Sequence, residues 1–170
     1  MEVEKLVSVL GWSHGAASVI AMILGAAVLF DAKGTVQHRK LGLIYVLTLA
    51  FVCASSLGIY RLNKFWFPHW TAIATLVVIA LGWFAARYKW PGRTAWLHVH
   101  MTSMLASYYL LLGGAVNEAF LRIAPLHNLA PRLHGIAWGS THSALLLAFI
   151  FWILWVNAFM AGRRSLEVAP

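Results

Sequence analysis

Charge is the property that this sequence has least of. Asp, Glu, Lys and Arg together make up 11% of its 170 residues, and 61% of the residues are hydrophobic. A soluble domain of this size normally carries about a quarter charged residues. The charges are too few to cover the surface of a water-soluble fold, so a soluble enzyme domain is excluded and the composition indicates a polytopic membrane protein.

Cysteine and acidic residues are almost as scarce. The single cysteine, Cys53, lies inside an apolar run, so neither an intramolecular disulfide nor a CxxC metal or redox pair is available. With 13 Lys and Arg against 5 Asp and Glu, the net charge is +8, which in a soluble protein would suggest nucleic acid. Here the basic residues stand in short clusters between apolar runs, as topology signals do. We therefore expect a lipid bilayer around the chain and no nucleic acid partner.

Long apolar runs are what the sequence has in place of charge. Each has the roughly 20 residues that an α-helix needs to cross hydrocarbon. Backbone polar groups in lipid must bond within their own segment, and no alternating strand pattern is present, so the runs are helices. We predict an all-α integral membrane protein: a bundle of five transmembrane helices in a single domain, residues 1–170. The helices are expected at about residues 6–30, 41–60, 67–87, 96–120 and 134–161.

Small residues recur at helical spacing in two of these runs. Gly11 and Gly15 are four residues apart in the first, and Gly135 and Gly139 in the fifth. This spacing is typical of helices that pack closely.

Lys and Arg favour one end of the predicted helices. We call the side of the N-terminus side A and the opposite side B. Side B carries Lys33, Arg39, Lys40, Arg87, Lys89, Arg93, Arg163 and Arg164, and side A carries Lys5, Arg61, Lys64, Arg122 and Arg132. Cytoplasmic loops are enriched in these residues. The distribution predicts an N-terminus outside and a C-terminus in the cytoplasm.

Eight histidines are the exception to the lack of polar residues. Ionisable groups within a membrane are costly and usually functional. The histidines of this sequence form two layers. Near side A lie His14, His69, His134 and His142, with His127 in a loop, and near side B lie His38, His98 and His100. His98 and His100 point to roughly opposite faces of a helix, so at most one of them faces the bundle interior with His38.

Two layers of imidazoles from alternating helices suit haem b with two axial histidines. The candidate ligands are His14 and His69 near side A, and His38 with His98 or His100 near side B. The haem propionates would meet basic side chains. The basic candidates are Arg39, Lys40, Arg61 and Lys64.

A zinc or copper site is the second chemistry that suits these histidines. Its candidate ligands are His14, His69, His134 and His142, all near side A. Imidazole suits zinc, copper and iron, and three ligands with an open position would make a catalytic site. The sequence has no HExxH motif, and Glu118 is the only acid near these residues. A hydrolase would therefore lack an evident general base.

Several segments resemble a bacterial family of predicted membrane proteins of unknown function. Residues 38–45, His-Arg-Lys-Leu-Gly-Leu-Ile-Tyr, resemble its HRxxGxxY signature. His14 stands where the family has an early His. Phe67-Pro68-His69-Trp70 with Thr75-Leu76 is similar to its FHLLALLTL-type third helix. His98 or His100 with Met101 and Ser107-Tyr108 is similar to its HRRWMxRSYA segment, without the family's Arg. The resemblance covers about residues 10–120. It implies a helical bundle and a set of histidines, and no established activity.

Three functions are compatible with these features. The leading hypothesis is a histidine-ligated cofactor protein of the bacterial cytoplasmic (inner) membrane, a b-type haem electron carrier, with quinol or another membrane reductant as its partner. The first alternative is a non-catalytic accessory subunit of a larger membrane complex, with no cofactor of its own. The second is the zinc or copper site near side A. The sequence leaves open whether any reaction is catalysed.

Overall fold

Helices make up nearly all of the structure, a computed structural model that describes residues 2–59, 67–92 and 95–167. These residues contain no strand. The helices are α1 (Glu2–Phe30), α2 (Val36–Gly58), α3 (Phe67–Tyr88), α4 (Ala95–Arg122), the short α5 (Ala124–His127) and α6 (Pro131–Glu167). Within these ranges, all except α5 are long and apolar enough to cross a membrane. The prediction of an all-α protein with five membrane-spanning helices is confirmed.

Several helices extend beyond the apolar runs that predicted them. The second begins at Val36 and not at residue 41, because Thr35 caps it: the Thr35 hydroxyl accepts from the backbone N–H of His38 at 3.0 Å. Such a cap satisfies one of the free N–H groups of the first turn. The fifth predicted span corresponds to α6. It begins at Pro131 and not at residue 134, because the fixed φ angle of proline favours a helix start. His38 and its two basic neighbours are therefore helical residues.

The turn between α1 and α2 is held by Lys33. Its Nζ donates to the carbonyl oxygens of Val28, Leu29 and Asp31 at 2.8, 2.6 and 3.0 Å. A cation at this place satisfies the last carbonyls of α1 and lies at the negative end of the helix dipole. Gly34 follows with a φ of 82°, a conformation that glycine adopts without strain.

The chain forms two compact units, residues 1–112 and 113–170. The boundary falls within α4, and the prediction of a single domain stays a prediction. In the N-terminal unit, α1, α2, α3 and the first part of α4 pack around a core of small and aliphatic residues. The buried core residues are Ala17, Ala21, Tyr45, Leu49, Val52, Cys53, Ala72, Ile79 and Leu111.

Close helix contacts in the N-terminal unit occur at Gly25 and Gly82. A Cβ on Gly25 would lie 2.5 Å from the Tyr108 ring, and a Cβ on Gly82 would overlap Met104. A Cβ on any of the glycines predicted for packing would meet nothing within 4 Å among the described residues. For Gly11, Gly15, Gly135 and Gly139 the described residues show no such contact, because spacing identifies a narrow helix face without identifying the neighbour that fills it.

Replacement of Gly25 by alanine tests this packing. Gly25→Ala should lower the free energy of unfolding by about 1–3 kcal/mol, because the new methyl group forces the Tyr108 ring to move. Gly42→Ala is the matched control, since a Cβ there meets open space and alanine gains about 0.5–1 kcal/mol over glycine inside a helix. Denaturant unfolding in detergent micelles measures both variants. Equal stability of the two would contradict this account of the packing.

Candidate functional site

His14 is anchored to α2 through one nitrogen of its ring. It stands seven residues after Val7, where the apolar span of α1 begins, at a depth of about 10 Å. Its Nδ1 lies 3.0 Å from the Val52 carbonyl oxygen and 3.0 Å from Ser55 Oγ. A carbonyl oxygen only accepts, so Nδ1 carries the proton, while the Ser55 hydroxyl donates to the Val52 carbonyl at 2.9 Å. A neutral ring held in this way has its lone pair on Nε2.

His69 is the second candidate ligand near side A. It is the third residue of α3 and is buried, with 6% of its surface exposed. A polar ring buried as deeply as that of His69 in an apolar unit is costly unless it has a partner or a function.

Near side A, α1 lies beside the C-terminal end of α2, since a Cβ on Gly58 would be 3.0 Å from Leu10.

His100 is anchored to α3 in the same manner as His14 is to α2. Its Nδ1 lies 2.9 Å from the carbonyl oxygen of Gly82, so Nδ1 donates and the lone pair of the neutral ring lies on Nε2. His100 also interacts electrostatically with His38. The sequence could not choose between His98 and His100. His100 is the one that bonds to α3, and His98 is half-buried two residues earlier.

Charged side chains complete the polar group at this end of the N-terminal unit. His38 interacts with Lys33 and Asp31 as well as with His100. Burial lowers the pKa of Lys33, and the Asp31 carboxylate opposes that shift. His38 Nδ1 and Asp31 Oδ2 are buried and have no hydrogen-bond partner among the described residues. This end of the unit therefore keeps unused hydrogen-bonding capacity.

Tyr45, Ser107 and Tyr108 link three helices between the two histidine layers. The Tyr45 hydroxyl lies 2.9 Å from Ser107 Oγ, and both residues are buried. The Ser107 hydroxyl donates to the Met104 carbonyl at 2.8 Å, so it accepts from Tyr45. The Tyr108 hydroxyl donates to the Met22 carbonyl at 3.1 Å. Two segments singled out by the family resemblance, residues 38–45 and Ser107-Tyr108, are thus in contact.

Two histidines of the C-terminal unit are engaged in contacts within that unit. The Asn117 side-chain oxygen accepts from Trp138 Nε1 at 2.9 Å and lies 3.0 Å from His142 Nε2. The rings of Trp138 and His142 are 4.6 Å apart. His134 packs edge-on against Phe120, with ring centroids 5.4 Å apart.

The described residues contain no group of three or more His, Cys, Asp or Glu side chains arranged to hold a metal ion. A zinc site needs three or four protein ligands. The haem hypothesis and the zinc or copper hypothesis both stay predictions.

Sequence reasoning found the histidines and missed their anchors. Ser55 and the Gly82 carbonyl hold His14 and His100, and Asn117 holds His142. Ser55 is a polar residue inside an apolar run and Asn117 directly follows one. That signal could have found them, since such residues commonly bond across helices in membranes. No signal in the sequence identifies a backbone carbonyl as a partner. Of the basic residues predicted to meet haem propionates, Arg61 and Lys64 lie outside the described residues.

The chain matches no protein-family model, no characterised protein and no solved structure at a significant level.

A double-mutant cycle tests the hydrogen bond between Tyr45 and Ser107. Tyr45→Phe and Ser107→Ala should each destabilise the protein, and together they should cost less than the sum of the two. The coupling energy expected for such a bond within a membrane protein is about 0.6 kcal/mol and at most about 1.7 kcal/mol. Unfolding in detergent micelles measures it. Strict additivity of the two substitutions would contradict the bond.

Proposed function

We propose that the chain is a b-type haem electron carrier. In this proposal His14 and His69 hold one haem iron near side A, and His38 and His100 hold a second near side B. The observation that carries the proposal is the anchoring of His14 and His100, each by an Nδ1–H that donates to a backbone carbonyl of an adjacent helix. The lone pair of both rings is then on Nε2, one of the two ring nitrogens through which a neutral histidine binds metals.

Anchoring of this kind is what histidine ligands of metals generally have. A ligating histidine usually donates its other N–H to a carbonyl, a carboxylate or a water, which fixes the tautomer and makes the ring a stronger ligand. Near side A the carbonyl of Val52 and the hydroxyl of Ser55 take this role for His14. Near side B the Gly82 carbonyl takes it for His100.

The chemistry that bound haem would supply is one-electron transfer, and the residues of the chain would bind and orient it. Apolar core residues around the histidines would keep water away from the iron, and burial is one of the features that set a haem potential. A quinol is the membrane-soluble reductant that we propose as partner. We further propose the cytoplasmic membrane of a bacterium as the location.

Replacement of single histidines tests the haem sites. The purified chain should give a reduced-minus-oxidised haem b spectrum, and His14→Ala or His69→Ala should each remove about half of it, since a haem that loses one of its two axial ligands is held poorly. His127→Ala is the control, because His127 is exposed on the short α5. A colourless wild-type preparation, or full spectra in both ligand variants, would sink the proposal.

Ser55→Ala tests the hydrogen bond that anchors His14 separately from the binding of haem iron by His14. This variant keeps the ligand and removes one of the two acceptors of its Nδ1–H. The haem should stay bound with a shifted reduction potential, because hydrogen bonds to a ligand tune the metal. Ser56→Ala is the matched control, since the Ser56 hydroxyl donates to the Cys53 carbonyl within α2. Identical potentials in the two variants would count against this role of Ser55.

The orientation that we propose places side B in the cytoplasm, because it carries more Lys and Arg. Lys89, exposed in the turn between α3 and α4, marks that side. Lys89→Cys in a Cys53→Ala background should react with a membrane-impermeant maleimide in inverted vesicles and stay unlabelled in intact cells. Labelling in intact cells would reverse the orientation.

A further inference from the structure

His142 has a fixed tautomer, and it is not that of His14 and His100. The indole Nε1 of Trp138 is only a donor, so the Asn117 atom that faces it at 2.9 Å is the side-chain oxygen. That oxygen also lies 3.0 Å from His142 Nε2, so Nε2 must donate. A neutral imidazole carries a single ring N–H. The lone pair of His142 is therefore on Nδ1.

This lone pair lies deep within a membrane-spanning helix. The membrane span of α6 begins at Pro131, and His142 lies eleven residues further on. The distance between them along the helix axis is about 16 Å. Its Nδ1 has no hydrogen-bond partner among the described residues. In hydrocarbon an acceptor without a partner is costly, and a polar side chain at this depth is usually functional. The position calls for a ligand that donates a hydrogen bond.

Glycine leaves space at the nitrogen that carries the lone pair. A Cβ on Gly113 would lie 3.8 Å from His142 Cε1 and 4.0 Å from His142 Nδ1, so even the smallest side chain would cover this edge of the ring. The absence of a side chain at Gly113 therefore leaves room beside Nδ1 that a methyl group would take.

The neighbouring side chains indicate what kind of molecule fits. The Trp138 ring lies 4.6 Å from the His142 ring and is 42% exposed, which leaves an aromatic surface for stacking. Glu118, next to Asn117 in sequence, is paired with Arg122. Asn117 and Trp138 are neutral. A neutral aromatic molecule with a hydroxyl group fits this combination.

We infer that the Nδ1 edge of His142, together with Gly113 and Trp138, binds the hydroxyl of a hydroquinone head group. The hydroxyl donates to Nδ1 and the ring of the ligand stacks on Trp138. The choice of a hydroquinone over another neutral phenol rests on the proposed electron-carrier function.

Nitrogen-15 spectra of the histidine-labelled full chain in phosphatidylcholine nanodiscs test the inference. The Nδ1 resonance that disappears in His142→Phe identifies the residue. Decyl-ubiquinol, added without oxygen, should move that resonance upfield and saturate the shift. Its dimethyl ether, which has no hydroxyl to donate, should leave the resonance in place. The comparison of the quinol with its ether uses the unaltered protein, and only the assignment of the resonance uses the variant. An equal shift with the ether, or no shift with the quinol, would overturn the inference.

Gly113→Ala tests the approach to the nitrogen. Its methyl group makes only ordinary van der Waals contact with the ring, so the fold should persist while the apparent affinity for decyl-ubiquinol falls by about tenfold, equivalent to about 1.4 kcal/mol. His134→Phe, on the same helix, is the control and should bind as the wild type does. Unchanged affinity in Gly113→Ala would overturn the inference. A haem-free protein that shows the quinol shift would refute the haem proposal and leave the His142 site standing.

Discussion

Lipid offers no partner for the hydrogen-bonding groups of a histidine, so each ring in a membrane-spanning helix depends on the protein for its contacts. His14 and His100 meet this constraint in the same way, by an Nδ1–H that donates to a carbonyl of an adjacent helix. The bond fixes which nitrogen keeps the lone pair and which way the ring points. What each histidine can bind therefore follows from how the helices satisfy its other nitrogen.

These anchors require the helices to lie close together. Gly25 admits the Tyr108 ring and Gly82 admits Met104, and the bond from Tyr45 to Ser107 joins α2 to α4 in the buried interior. Gly82, against which Met104 packs, also supplies the carbonyl oxygen to which His100 donates. Packing and the placing of His100 thus depend on the same point of α3, as expected where small residues set the distance between helices.

The sequence predicted the helices well because length and apolarity are enough to identify a membrane span. It predicted their ends less well: the Thr35 cap adds a turn to α2 and makes His38 helical. The choice between His98 and His100 needed the structure, since spacing places them on different faces without showing which face meets α3. Partners such as the Val52 and Gly82 carbonyls cannot be recognised in the sequence, because every residue has the same backbone carbonyl whatever its side chain.

The most direct test of the account is the metal and porphyrin content of the purified chain. Iron and extracted haem b should each be present at about two per chain, one for each pair of axial histidines. Zinc or copper in place of iron, or a chain without metal and porphyrin, would contradict the account that the anchored histidines hold haem.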